Sequence, residues 1–166
     1  MSQSDKMPIV AMQQLGNRGK TQMLNVEPIE NGTVIDHIRA GKGKKVVEML
    51  GIDKNSAGRV ALVMNVPSKR LNKKDIVKIE GTFLNEEQTN LVALMAPQST
   101  INIIKNGKVV EKREVEIPNL LKKVGICPNP NCICNTEHAE RIFSKEEQGF
   151  RCHYCERNFK ADELVR

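Results

Sequence analysis

The sequence predicts an α+β protein: an antiparallel sheet with two helices, followed by a small all-β unit of the zinc-ribbon kind. Three observations lead to this prediction. Apolar runs of strand length are joined by turn signals such as Asn106-Gly107. Helical spacing of apolar residues occurs twice, around Val46 and around Leu91. All five cysteines, and every aromatic residue except Phe83, lie in the C-terminal third.

The clustering of cysteines divides the 166 residues into parts. Residues 1–23 have no clear period and are predicted to be a mobile tail. Residues 24–116 form the larger aliphatic domain and residues 117–166 the metal-binding unit, with a hinge at 117–119. No apolar run approaches the roughly 18 residues of a membrane span. Without a secretion signal, and with unpaired thiols, the chain is expected in the cytoplasm.

The first elements follow from apolar alternation. Residues 24–29 and 33–38 are predicted as two strands, with Asn31-Gly32 as the turn between them. Gly41-Lys-Gly43 then interrupts the chain as a turn. Its glycines are too few and too close for a phosphate-binding loop. A helix through Val46 follows and ends near Gly51.

The middle of the domain contains two more strands and a helix. Residues 59–66 form a nearly continuous apolar strand that Pro67 is expected to stop, and residues 74–79 alternate as a half-buried strand. Asn85 and Gln88 have the spacing of a capping box, and the helix that they begin ends before Pro97. The Asn106-Gly107 turn joins the last two strands of the domain in a hairpin.

The cysteines predict a structural zinc site. Cys127 and Cys132 form one close pair, Cys152 and Cys155 form another, and a loop separates the pairs. This pattern is typical of a tetrahedral four-thiolate site. Disulfides are the alternative, and they suit a small secreted chain better than this one. Four thiolates leave no open position, so the zinc is expected to hold the fold and to do no chemistry.

Cys134 complicates the choice of ligands. On spacing alone either Cys132 or Cys134 could close the first pair. We choose Cys132, because the turn at residues 128–131 lets it converge with Cys127. Cys134 is then expected to be a small semi-buried side chain. His138 and His153 are expected to lie at the surface, since four sulfurs complete the site.

The distribution of charged residues indicates whether the partner is a nucleic acid. The formal net charge is +6, but acidic and basic residues nearly cancel within residues 117–166. A zinc unit that binds nucleic acid usually has a basic face. A nucleic-acid-binding zinc ribbon is therefore the less favoured alternative. It would use a stacking patch with flanking cations, made of Phe150, Tyr154, Arg151, Arg157 and Lys160.

No group of residues predicts catalysis. A catalytic nucleophile needs a base within reach, and His37 is the only histidine of residues 24–116. Strand alternation places Asp36 and His37 on opposite faces unless they lie at a strand end, and it places Lys74 and Lys78 on one face. By spacing alone, an ordinary solvated sheet face is the favoured interpretation of these polar residues.

Several motifs in order give a more specific interpretation. Together they closely resemble the regulatory chain of aspartate carbamoyltransferase, from about residue 24 to residue 166. The motifs are Gly32-Thr-Val-Ile-Asp-His-Ile38, Met64-Asn-Val-Pro-Ser68, Lys74-Asp75 with Lys78-Ile-Glu80, Ala96-Pro97 with Thr100, and the two cysteine pairs. The resemblance implies an allosteric nucleotide-binding domain, a zinc domain that docks on a catalytic chain, and no catalysis by this chain.

The resemblance also implies particular ligands and partners. CTP and UTP would inhibit and ATP would activate, in an assembly of two catalytic trimers with three regulatory dimers that form through the first domain. No nucleic acid and no membrane would be bound. Where many relatives have a tyrosine in the hairpin turn, this chain has Gly107, which predicts a more open base pocket. The implied nucleotide-binding residues are Ile29, Val34, Asp36, His37, Lys74, Lys78, Asn102, Ile104, Val109 and Lys112.

Overall fold

A computed structural model describes residues 26–52 and 57–165. The predicted tail at residues 1–23 lies outside the described residues, and so does Leu24. Within the described part, no helix is both long and apolar enough to cross a bilayer. The strands are β1 (Gly32–Arg39), β2 (Val60–Ser68), β3 (Asn72–Glu80), β4 (Thr100–Lys105), β5 (Lys108–Glu114), β6 (Leu120–Lys122), β7 (Ile142–Glu146), β8 (Gly149–Cys152) and β9 (Asn158–Phe159). The helices are α1 (Gly43–Met49), α2 (Glu86–Met95), the short α3 (Ile133–Thr136) and a 3₁₀ turn at Ala161–Glu163.

The larger sheet is antiparallel, in the order β2-β3-β1-β4-β5. Helices α1 and α2 cover one face, where Val46 and Val92 are fully buried with Ile35, Val77 and Ile101 of the central strands. Because side chains alternate along a strand, the residues between these apolar ones point to the other face. That second face carries polar side chains. The predicted α+β class is confirmed.

A bulge interrupts β1 near its end. The register with β3 shifts between Ile35 and Ile38, and His37 has a left-handed backbone with φ of +59°. The carboxylate of Asp36 accepts a hydrogen bond from the His37 backbone N–H at 2.6 Å. The His37 ring nitrogen Nδ1 lies 3.2 Å from the same carboxylate. The bulge therefore brings together two side chains that a regular strand would separate.

The predicted strand before β1 is wrong for the residues that the structure describes. Residues 26–30 have no strand pairing, although Ile29 is buried. Pro28 has no N–H to donate to a ladder. The carbonyls of Val26 and Glu27 instead accept hydrogen bonds from the ammonium of Lys78, at 3.2 and 3.3 Å. Asn31-Gly32 consequently leads into β1 and does not link two strands.

Strand β2 continues through Pro67, although the sequence predicts that Pro67 ends it. Pro67 pairs with Lys73, and the strand ends at Ser68. This is possible because β2 lies at the edge of the sheet. At an edge, the proline nitrogen can face away from the neighbouring strand, so that its missing N–H costs no hydrogen bond between strands. A second bulge lies just before, where Asn65 has φ of +59°.

The predicted turn at Gly41–Gly43 is held by a buried carboxylate. Asp75 is fully buried, and its Oδ2 accepts hydrogen bonds from the N–H groups of Gly41 and Gly43, at 2.8 and 3.0 Å. Its Oδ1 accepts from the N–H of Asn65 at 2.9 Å. A Cβ on Gly43 would lie 2.7 Å from Leu62 and 2.9 Å from Asp75, so only glycine fits. Asp75 thus joins the start of α1 to the bulge of β2.

The predicted capping box is present at the start of α2. The Asn85 side chain accepts from the Gln88 N–H at 2.8 Å, and the Gln88 side chain accepts from the Asn85 N–H at 3.0 Å. These bonds satisfy two backbone groups that the first helical turn leaves free. The helix ends at Met95, before Pro97, as the sequence predicts.

The smaller sheet has the order β6-β7-β8-β9 and is also antiparallel. Its core contains Leu121, Phe143 and Leu164, all fully buried. This core is continuous with the one beneath the larger sheet, and α2 contacts the 3₁₀ turn near the C-terminus. An ion pair of 3.5 Å between Glu87 and Lys123 lies at the same junction. The two sheets are therefore joined by packing as well as by the connecting chain.

Candidate functional site

Five cysteine sulfurs converge beside the smaller sheet. The Sγ atoms of Cys127 and Cys155 are 3.7 Å apart, and those of Cys132 and Cys152 are also 3.7 Å apart. A tetrahedral ion with Zn–S bonds of about 2.3 Å has its sulfurs about 3.8 Å from one another. The spacing of these two pairs therefore fits a single thiolate-bound metal ion. A donor set made only of sulfur favours zinc over harder cations.

Local structure places the first two cysteines. They flank the tight turn at residues 128–131, where the Cys132 N–H donates to the Asn129 carbonyl at 3.1 Å. The side-chain amide of Asn135 donates to the carbonyls of Cys127 and Asn129, at 2.8 and 2.9 Å. These bonds hold the turn from behind. The two sulfurs are consequently presented on one side of it.

The second pair lies at the end of β8 and on the turn that follows. Cys152 pairs with Phe143 across the sheet and is fully buried. Its carbonyl accepts from the N–H of Glu156 at 2.9 Å, which closes the turn that carries Cys155. Cys155 is only half-buried, so this side of the cluster is nearest to solvent.

Burial and mutual contact shift the thiol pKa values. Burial raises the pKa of Cys127 and Cys152, and it raises the pKa of Cys134 to about 12. Burial also acts to raise the pKa of Cys132. Hydrogen bonds from the Cys134 backbone N–H and from neighbouring thiols outweigh it, and the Cys132 pKa falls to about 7. A metal ion would replace these protons, because thiolates are its ligands.

Cys134 is more deeply placed than the sequence suggested. Its side chain was expected to be semi-buried, but it is 2% exposed. Its sulfur lies 3.3 Å from that of Cys132. The four sulfurs that all lie within 4.8 Å of one another are those of Cys127, Cys132, Cys134 and Cys152. The predicted ligand Cys155 is outside this group of four, although it contacts Cys127.

Neither histidine of this unit belongs to the cysteine cluster, and one of its aromatic residues, Phe150, is buried. His138 and His153 are exposed, and neither belongs to the group of close sulfurs. Phe150 is 3% exposed, so it is not available for stacking on a base. Arg151 forms an ion pair with Glu156 at 3.2 Å. The buried Phe150 therefore cannot take part in the stacking patch that a nucleic-acid-binding zinc ribbon would use.

The second candidate site is the face of the larger sheet that neither α1 nor α2 covers, which we call the uncovered face. In the strand register Lys78 lies opposite Val34, Val34 opposite Asn102, and Asn102 opposite Lys112. Directly opposed residues of an antiparallel sheet point to the same face. These four predicted residues therefore form one row across four strands. Asn102 also lies 3.5 Å from the Val34 carbonyl, to which its amide donates.

A charged group lies beside this row, two residues along β1 from Val34. Lys74 donates to the Asp36 carboxylate, with Nζ 2.7 Å from Oδ1 and 2.9 Å from Oδ2. His37 contacts the same carboxylate, and its Nδ1 is buried without a well-aligned hydrogen bond. All three side chains are partly buried. The structure thus brings together three of the residues that the resemblance implies for nucleotide binding.

The remaining predicted residues lie on the opposite side of the row from this charged group. Ile104 is opposite Gly32 on one side and Val109 on the other. Ile104 is 8% exposed, whereas Val109 is 57% exposed. Gly107, in the hairpin turn, donates its N–H to the Glu30 carbonyl at 2.8 Å. This bond fixes the hairpin turn against the chain that precedes β1.

A groove of about 470 Å³ opens beside this row, at the junction of β2, β3 and the segment before β1. Two predicted residues line it, Ile29 and Lys78. No sequence motif indicated Arg59, which closes one wall by binding Glu80 at 2.6 Å and Glu27 at 2.8 Å. The other lining residues that the sequence did not single out are Val26, Glu27, Val60 and Ala61.

Comparison with known families gives a consistent assignment for both parts of the chain. Residues 24–116 match the family described as aspartate carbamoyltransferase regulatory chain, allosteric domain. Residues 119–165 match the family described as aspartate carbamoyltransferase regulatory chain, metal binding domain. Neither description is that of a catalytic domain.

Individual relatives agree with this assignment. An aspartate carbamoyltransferase regulatory chain from Pyrococcus horikoshii is 53% identical over 146 residues, which is 86% of this chain and 96% of the relative. Those from Thermococcus kodakarensis and Methanoculleus marisnigri are 50% and 49% identical; the alignments cover 86% and 84% of this chain and 95% and 90% of the relatives. This chain therefore belongs to the family of aspartate carbamoyltransferase regulatory chains.

Proposed function

We propose that this regulatory chain binds nucleoside triphosphates on the uncovered face of its larger sheet, in a domain comprising residues 24–116. The observation that supports the proposal is the single row formed by Lys78, Val34, Asn102 and Lys112, with the Asp36, His37 and Lys74 group beside it. Apolar positions within a set of point-charge lysines suit a ligand that has both a base and a polyphosphate.

The placement of residues supports a division of roles. Lys78 borders the groove of about 470 Å³ and would hydrogen-bond the base or the ribose, beside Ile29 and Val34. Asn102, Ile104 and Val109 would line the pocket from the hairpin. His37 and Lys112 would contact the phosphates, with Lys74 nearby. Each of these roles comes from the family resemblance, and the strand register is compatible with it.

The cysteine cluster is proposed to hold one structural zinc ion per chain through Cys127, Cys132, Cys152 and Cys155. The sulfur separations of 3.7 Å within each pair support it. A metal bound only by thiolates supplies folding energy and leaves no position for a substrate. The unit of residues 117–166 would then dock on the catalytic chain of aspartate carbamoyltransferase, with residues 117–119 as a hinge.

Assembly is proposed to follow the family pattern of two catalytic trimers with three regulatory dimers, in the cytoplasm. The regulatory dimer would form through the larger sheet. Strand β2 supports this, since it is nine residues long and lies at a sheet edge, where backbone groups are free to pair with another strand. Buried free thiols are consistent with a reducing compartment.

Regulation in pyrimidine synthesis would require that a nucleotide bind one quaternary state more tightly than the other. A nucleotide with equal affinity for both states would shift nothing. CTP and UTP are proposed to favour the less active state and ATP the more active one. A coupling free energy of about 1–3 kcal/mol corresponds to changes of about 5- to 150-fold in affinity.

Two measurements test this function. Titration calorimetry of CTP, UTP and ATP into the isolated chain should give saturable binding of all three. Mixing the chain with catalytic trimer should give a larger complex in which CTP and ATP change the activity in opposite directions. If no nucleotide binds at millimolar concentration, the nucleotide role is wrong. A steeply salt-dependent affinity for RNA would favour the nucleic-acid alternative instead.

A further inference from the structure

The metal centre contains five sulfurs for four positions. The four sulfurs within 4.8 Å of one another include that of Cys134 and not that of Cys155. Each of those four side chains is at most 2% exposed, whereas Cys155 is half-buried. Cys155 nonetheless contacts Cys127 at the distance expected within a tetrahedral site. By distance and by burial, both Cys134 and Cys155 are therefore within reach of the ion.

The backbone holds Cys134 at the site. It belongs to α3, which starts directly after Cys132, so both sulfurs emerge from the same rigid turn. The Thr136 hydroxyl donates to the Cys132 carbonyl at 3.3 Å, and Asn135 bonds the turn from behind. Cys155, by contrast, is followed by the exposed Glu156, whose φ is +57°.

We propose that Cys134 competes with Cys155 for the fourth metal position. Zinc is satisfied by any four thiolates in tetrahedral reach, because it has no geometric preference from its d electrons. The inner position is the buried side chain of Cys134 on α3, and the outer position is the half-buried side chain of Cys155 on a turn. The ion can exchange one for the other while Cys127, Cys132 and Cys152 stay bound. This inference rests on the proposed metal site.

Substitution with Co²⁺ tests the competition, because its visible spectrum reports how many thiolates it binds. The variants are Cys155→Ser, Cys134→Ser and the double variant, each prepared as the full chain. Both single variants should keep the spectrum of a four-thiolate site and one Co²⁺ per chain. The double variant should show a three-thiolate spectrum. Competition with a chelator should show at least a tenfold greater loss of affinity in the double variant than in either single variant.

A spectrum of Cys155→Ser with only three thiolates, equal to that of the double variant, would overturn the proposal. If the wild-type chain itself takes up no Co²⁺, the metal site is wrong and the competition is wrong with it. If Cys155→Ser does not fold, the wild-type chain loaded with ¹¹³Cd decides. Scalar coupling from the metal to the Cys134 β protons is expected, and its absence would refute the exchange.

Discussion

Asp36 and Lys74 form an ion pair across neighbouring strands, with Nζ 2.7 Å from one carboxylate oxygen and 2.9 Å from the other. Their side chains are 22% and 15% exposed, so water screens the pair only in part. The pair stands beside the β1 bulge, where the same carboxylate also contacts His37. It therefore fixes the positions of Lys74 and His37 where the phosphates of a nucleotide are proposed to bind.

This geometry predicts a measurable coupling. A double-mutant cycle with Asp36→Ala and Lys74→Ala should give an interaction free energy of about 1–2 kcal/mol in chemical unfolding. The matched control is the exposed pair Lys44 and Glu48 on α1, which are 75% and 53% exposed. That pair should contribute only about 0.3–0.5 kcal/mol and should weaken with salt. Equal coupling for the two pairs would contradict this view of Asp36.

The strand register predicts which basic residue of β5 binds nucleotide. Lys112 lies opposite Asn102 on the uncovered face, whereas its neighbour Arg113 lies opposite the buried Ile101 and donates to Thr89 of α2. Lys112→Ala should weaken CTP and ATP binding by about 10- to 100-fold, because a charge-assisted bond to phosphate is lost.

Arg113→Ala is the matched control for this prediction, since it removes the same charge one residue away on the opposite face. It should change nucleotide affinity less than about threefold, because only long-range attraction is lost. Calorimetric titration of both variants measures the difference. Equal losses of nucleotide affinity in the two variants would mean that the sheet acts only through long-range electrostatic attraction and that Lys112 does not contact the nucleotide.

The buried carboxylate of Asp75 predicts a strong effect on stability. Asp75→Asn replaces an acceptor oxygen by a donor while three backbone N–H groups of Gly41, Gly43 and Asn65 require acceptors. The free energy of unfolding should fall by about 1–3 kcal/mol. Denaturant unfolding measures it, with Glu147→Gln as an exposed control that should change little. An unchanged midpoint for Asp75→Asn would disprove the role assigned to these bonds.

Removal of the metal should affect the two sheets unequally. With a chelator, amides of β7 and β8 should lose protection from hydrogen exchange, because the unit that they belong to depends on metal for folding. Amides of β1, β3 and β4 should keep theirs. Binding to catalytic trimer should be lost at the same time, as measured by size-exclusion chromatography. Metal-free chain that still co-elutes with the trimer would refute the docking role.

Features that depend on short-range signals were predictable from the sequence. The capping box at Asn85, the hairpin at Asn106-Gly107 and the cysteine spacing each follow from residues a few positions apart. For the capping box and the hairpin the local chemistry is sufficient, because the partners are close in the chain. The residues of the row on the uncovered face were implied by the family resemblance, and their alignment across four strands depends on the sheet register.

Features that depend on distant partners were not predictable in the same way. The sequence predicts that the strand stops at Pro67, but Pro67 extends it because β2 is an edge strand among the residues that the structure describes. Val26 and Glu27 do not pair as a strand, because their carbonyls bind Lys78, about fifty residues away in the chain. The burial of Cys134 likewise depends on where β8 brings Cys152. Such contacts are set by the fold and have no local signature.

The contact between α2 and the 3₁₀ turn has a mechanical consequence. The Leu164 carbonyl accepts the N–H of Ile126, so the C-terminal segment is tied to the strand connection of the metal unit. The same segment touches α2, whose buried residues pack on the face of the sheet opposite the row of Lys78, Val34, Asn102 and Lys112. A small tilt of the sheet would therefore push the metal unit through its C-terminal end. The two domains are therefore connected both by the linker and by the packing of the C-terminal segment on α2. Cutting only the linker would leave the packing contact in place.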